Sequence, residues 1–189
     1  DFDYDLSEFE EQLDRFIEMF ELALAEQKMD EVVKRLEKLL EEQTAIVEEL
    51  AEDENADLST LASRERRQEE SFKSLEDVMK DAAEAMEKLS PEASQQLSEL
   101  VESDLAENTK SDLKDARQEM QNMNQSGASL YAGQAASGLE SMLQMAQNIQ
   151  LQFQEDTVDE MLRKFLALIR NLLYISQEQE NLIHDTESL

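Results

Sequence analysis

Asp1-x-Asp3-x-Asp5 and Asp53-x-Asn55-x-Asp57 place side-chain oxygens at alternate positions, as the opening of a calcium-binding loop does. Such a loop needs Gly at its sixth position for the sharp turn and Glu at its twelfth as a bidentate ligand. The first run supplies Leu6 and Gln12 there, and the second Leu58 and Arg64. Both therefore read as acidic helix entrances. The sole histidine, His184, follows Glu180 by four residues, whereas a di-iron bundle needs two Glu-x-x-His pairs. With no cysteine and one histidine near the C-terminus, a Ser–His or Cys–His pair has no support. Gly127, Gly133 and Gly138 are too dispersed for a phosphate-cradling loop. Carboxylates are abundant, but nothing singles out two that are buried. The expectation is a protein with no catalytic residues, no metal site and no cofactor.

The residues that do stand out are glutamines. Leu36, Gln43 and Val47 share a spacing with Leu61, Gln68 and Phe72, and with Leu172, Gln179 and Ile183. At helical spacing each glutamine lies on an apolar stripe. An amide there either sits at the stripe's edge with its polar end in water or bonds across to a neighbouring helix and fixes register. Gln43, Gln68 and Gln179 are thus candidate inter-helix polar contacts. The repeated spacing also suggests descent from one helical unit.

Periodicity defines the elements that must carry these residues. Ser7 and Glu10 fit a capping box, followed by Phe9, Leu13, Phe16, Ile17, Phe20 and Leu24 at three- and four-residue steps. Asp30 offers a second N-cap ahead of Val32, Val33, Leu36, Leu39, Leu40, Ile46, Val47 and Leu50. A third helix is predicted over 61–89, with Phe72, Leu75, Val78, Met79, Ala82 and Met86 inward. Ser90-Pro91 marks a boundary, because serine caps and proline suits the first helical position. A short fourth helix carries Leu97, Leu100 and Val101, and a fifth carries Leu113, Ala116, Met120, Met123 and Leu130, ending at Gly133. Leu139, Met142, Leu143, Ala146, Ile149 and Phe153 make a sixth. Thr157 then caps a seventh, apolar around much of its circumference and so expected to be central and buried.

Composition narrows the class. The 189 residues include 46 acidic and 17 basic side chains, a formal charge of −29, with three glycines and one proline. So few turn residues suit long helices and not sandwiches or barrels. The charge repels nucleic acid and anionic lipid, and Arg64, Arg66 and Arg67, interleaved with Glu65, Glu69 and Glu70, read as a solvated face. No segment approaches the roughly 20 apolar residues of a membrane span. Between Gln118 and Gln154 only Glu119 and Glu140 are charged, which suits a closely packed helical hairpin over 110–154. Its methionines, Met120, Met123, Met142 and Met145, form a candidate interaction surface, since Met-rich surface repacks around partners. They equally suit ordinary core filling.

Ala116–Asn148, with Met120, Leu130-x-x-Gly133, Ala136 and Leu139, resembles the Gln/Glu-rich helical tails of large membrane-anchored bacterial proteins of unknown function. Leu36–Gln43 and Leu172–Leu182 are similar to Leu-Leu…Gln-Glu units of those tails. The resemblance implies an extracytoplasmic location, tethered to a bacterial membrane through segments outside this chain. It carries over no functional residues. The start at Asp1, without a signal peptide, fits an excised piece of a larger protein.

The fold expected is all-α, with six to seven antiparallel helices in an up-and-down bundle or short helical stack. Acidic helices over 1–89 and helices over 90–189, including an apolar helix over 157–185, should form one continuous unit. The function expected is a non-enzymatic scaffold or protein–protein interaction module, binding a helical partner or itself, with no nucleic-acid partner and no direct membrane insertion. The alternative is an acidic helical domain that senses cations or another ligand. A long parallel coiled coil would need unbroken heptads, and the caps at Asp30, Ser90 and Thr157 argue for folded-back hairpins.

Overall fold

The computed structural model describes the backbone over residues 6–52 and 56–187, and towards the ends of that range only some of the side chains. Among the described residues every element is an α-helix: α1 (Leu6–Glu52), α2 (Leu58–Met86), α3 (Pro91–Val101), α4 (Asp104–Gln121) and α5 (Gln125–Glu187). The caps follow local chemistry. Asp57 accepts from the Ser59 and Thr60 amides to start α2, and Ser90 accepts from the Ala93 amide to start α3, with Pro91 behind it. Ser103 accepts from the Ala106 amide to start α4. Each satisfies N–H groups that the first helical turn leaves without a partner.

Cross-helix contacts fix the register. Glu21–Lys88, Lys28–Asp81, Arg35–Ser74, Gln43–Glu65 and Glu49–Arg64 succeed one another along α1 and α2, which therefore run antiparallel. Lys110–Glu76 and Arg117–Glu69 set α4 antiparallel to α2. The Ser94 hydroxyl donates to the Ala83 carbonyl at 2.7 Å and places α3 against the end of α2. Gln125 reaches the Leu50 carbonyl, Gln43 the Ala132 carbonyl and Gln150 the Asp30 carboxylate, so α5 returns along α1. Because α3 and α4 are parted only by Glu102 and Ser103, they make one interrupted leg. The body is thus a four-legged up-and-down bundle. One core cluster draws on all five helices, from Leu22 and Met29 through Phe72 and Leu97 to Leu139 and Phe153. A smaller one, with Ile46, Leu61, Met120 and Ala132, closes the opposite end. Residues 1–89 and 90–189 contribute to the same core.

The helix number differs from the expectation of six to seven, because three expected boundaries are helix interior. Asp30 caps nothing: α1 runs through it, and its carboxylate accepts from Gln150 at 2.6 Å. Gly133 lies within α5. Thr157 also lies within α5, where its hydroxyl donates to the Phe153 carbonyl at 2.7 Å. Aspartate, threonine and glycine favour helix ends but do not compel them, and each is tolerated where flanking stripes continue in phase. The real break between α4 and α5 is Asn122–Asn124. There Met123 takes a left-handed φ of 58° and the Asn124 side chain accepts from the Gly127 amide at 3.2 Å. Met123 and Leu130 consequently fall outside α4. Ser7 already lies inside α1, and its side chain is outside those described.

The expected burial of the apolar C-terminal helix is overturned for its described side chains, while those of Met161, Leu168, Leu172 and Ile175 lie outside the described residues. Val158, Leu162, Phe165, Leu166, Ile169, Leu173 and Tyr174 are exposed. The legs have unequal lengths, and α2 and α3 stop before they can cover this part of α5.

Candidate functional site

Two of the three glutamines are buried, which corrects the edge-of-stripe reading for both. Gln43 and Glu65 are each 0% exposed. The Gln43 Nε2 donates to Glu65 Oε1 at 3.0 Å and lies 3.4 Å from the Ala132 carbonyl, so one amide links α1, α2 and α5. Ala132 allows this because its small side chain lets α5 approach. Gln68 Nε2 donates to the Leu39 carbonyl at 3.4 Å, a longer and weaker contact. The Gln179 side chain lies outside those described.

Burial pushes the Glu65 carboxyl up to about 8; the charge of Glu69 adds to this, while the Gln43 hydrogen bond and Arg64 oppose it. Desolvation disfavours the charged form, so the group holds its proton at neutral pH. Gln43 Oε1 and Glu65 Oε2 have no hydrogen-bond partner. A proton on Glu65 is the donor that this pair lacks. Raised carboxyls often mark general acids, but this one is enclosed by packed Leu, Ile, Ala and Met side chains. Such a group fixes helix register. The sequence carried a partial signal in the Gln43 spacing and another in Glu65, which falls on the stripe of Leu61, Gln68 and Phe72 but reads as part of the charged run around it.

The four methionines divide. Met120 and Met142 are buried in the core, and only Met123 and Met145 are exposed, which corrects the idea of a single surface. Met123 occupies the α4–α5 turn. Met145 lines a shallow groove of about 440 Å³ with Leu100 and Ile149, between α3 and α5. In the run expected to be a solvated face, Arg64 and Arg66 pair with Glu49 and Glu70, but Glu65 departs from that reading by being fully buried.

Further exposed apolar side chains lie elsewhere. The turn after α2 is level with residue 21 of α1, through Lys88–Glu21, and with residue 156 of α5, where the Ser90 hydroxyl donates to Asp156. Beyond that level α1 and α5 continue without α2 or α3. The register along these two helices, continued outward, sets the stretch around Leu13–Phe20 beside that around Val158–Leu166. Phe16, Ile17 and Phe20 of α1 are exposed there, Phe20 at 73%. Leu162, Phe165, Leu166 and Leu173 of α5 are exposed as well, Leu173 at 65%. Large apolar side chains are thus uncovered on both helices. Sequence periodicity found both stripes and read that of the C-terminal helix as core.

Among the described residues no group of three or more His, Asp and Glu comes together to hold a metal ion. Asp57 of the second acidic run is the α2 cap, and the first run lies outside the described residues. Among the described residues no helix is long and apolar enough to cross a membrane. Comparisons with protein families, with curated proteins and with solved structures found no match.

Proposed function

We propose that this chain is a non-enzymatic helical interaction module whose docking element is the α1–α5 projection. The observation that carries this reading is the row of exposed apolar side chains on both helices beyond the level where α2 ends, from Leu13 to Phe20 on α1 and from Val158 to Tyr174 on α5. Burying apolar area is the principal driving force of helical association. The body supplies a rigid base, since its four legs share one core and the Gln43–Glu65 pair pins their register. Attachment to a larger bacterial envelope protein is supported only by the resemblance of Ala116–Asn148, Leu36–Gln43 and Leu172–Leu182.

The test separates docking from folding. Phe20→Glu with Leu166→Glu in the full chain should reduce binding of an apolar fluorescent dye at protein concentrations too low for self-association. Amide protection of the body, measured by hydrogen exchange over residues 28–50 and 72–86, should stay unchanged. A loss of that protection means these side chains hold the fold together, and the docking reading fails.

A further inference from the structure

Resting on that reading, we propose that the occupant of the projection is a second copy of this chain, the two copies joining end to end. The body closes its core with four legs, and the projection has two. An antiparallel pair with apolar residues on both helices is half of a four-helix layer. A second copy, turned about a two-fold axis across the projection, supplies the two missing helices with matching length and character. Phe16 and Phe20 of one copy then face the α5 residues of the other, and each copy does for its partner what α2 and α3–α4 do for the body.

Electrostatics select this arrangement among the ways two such chains could meet. A charge of −29 opposes self-association wherever the bodies approach each other. Joining through the projections leaves the bodies at opposite ends. An overlap of about 15 residues keeps them roughly 20 Å apart, at 1.5 Å per residue. That exceeds the Debye length of about 8 Å at physiological salt, so most of the repulsion is screened. The projection itself is charge-complementary. The stretch Met161–Ile175 holds three basic residues, Arg163, Lys164 and Arg170, and no acidic one. Residues 8–21 of α1 hold six acidic residues and one basic one. The two-fold axis lays α1 of one copy beside α5 of the other, so the acidic stretch meets the basic one between copies.

The experiment is sedimentation equilibrium on the full chain from roughly 1 to 100 µM, a range that brackets micromolar dissociation constants. The expected mass is twice the 21.7 kDa of one chain. Phe20→Glu with Leu166→Glu should weaken the dimer at least about thirtyfold, as loss of central apolar anchors does. Arg170→Glu, a change at an exposed position, should weaken it less, and by a factor that shrinks as salt is raised. A monomer across the whole range overturns the proposal, and so does a dimer indifferent to all three substitutions. If the chain is monomeric while the dye still binds the projection, the docking reading stands with another occupant, such as a different helical protein or a segment beyond residues 1–189. If the body loses its exchange protection in the variant, the docking reading itself falls.

Discussion

Gln43 and Glu65 meet across the α1–α2 interface at 3.0 Å, both fully enclosed, and each leaves one oxygen without a partner. A protonated carboxyl resolves this, since it donates where a carboxylate only accepts. The pair thus holds three helices together in a form that depends on one proton.

That proton makes stability depend on pH. The unfolded chain releases it near 4.5, and the folded chain near 8. Below pH 4.5 both states hold the proton and burial of the group carries no ionisation penalty. Between these values folding retains a proton that the unfolded chain has lost, so stability falls as pH rises, by up to about 1.4 kcal/mol per unit. Glu65→Gln keeps the shape and supplies a permanent donor. Thermal melting of the two proteins should coincide near pH 4.5 and diverge towards pH 8, with the variant more stable. Parallel curves would show that Glu65 is ionised in the fold or reached by water. Self-repulsion of the acidic surface acts on both proteins alike and cancels in the difference.

Gln43 and Gln68 share a sequence spacing but not an energetic role. Gln43→Leu removes the amide bonded to Glu65 and should cost about 1–3 kcal/mol, the penalty of stranding a buried polar group. Gln68→Met exchanges a long contact to a helix carbonyl for a side chain of similar volume, and should change stability by less than about 1.5 kcal/mol. Urea denaturation of the two variants measures the contrast. Equal losses would mean the Leu39 contact is as strong as the Glu65 one.

Gly138 and Gly133 should respond in opposite directions to alanine. A Cβ at Gly138 would meet Thr109 Oγ1 at 2.2 Å and Thr109 Cβ at 3.1 Å, because α4 and α5 touch closely there. At Gly133 a Cβ has nothing within 4 Å. Gly138→Ala is expected to destabilise by about 1–3 kcal/mol through overpacking, less any helix-propensity gain. Gly133→Ala should stabilise by up to about 1 kcal/mol from that propensity alone. Chemical denaturation decides both signs.

Ser90 joins two links of the fold. Its oxygen accepts from the Ala93 amide and its hydroxyl donates to Asp156, tying the start of α3 to α5. Ser90→Ala should lower stability by about 1–2 kcal/mol, the range for loss of an N-cap. Ser90→Asp preserves the cap but sets a second carboxylate against Asp156, so it should not restore the wild-type melting temperature. Full rescue by aspartate would show that the Asp156 bond contributes nothing.

The sequence by itself determined that this chain is helical, where α2 and α3 begin, and which stripe of each helix is apolar. Those properties are local: few glycines, one proline, three- and four-residue spacing, and capping side chains that act within one turn. Its failures came where local signals were permissive. Asp30, Gly133 and Thr157 can end helices, yet the stripes on either side stay in phase, and the chain runs straight through them. What the tertiary structure decided was relative length and partnership. The apolar stripe of α5 looks alike at Met142 and at Leu166, yet one is buried and the other exposed. The difference is whether a neighbouring leg reaches that far, and no pattern within α5 records it. Glu65 is the same lesson in reverse. It stands on the apolar stripe of α2, four residues after Leu61 and seven before Phe72, yet a place on a stripe does not tell its edge from its interior, and only the packing of α1 and α5 against α2 takes it out of water.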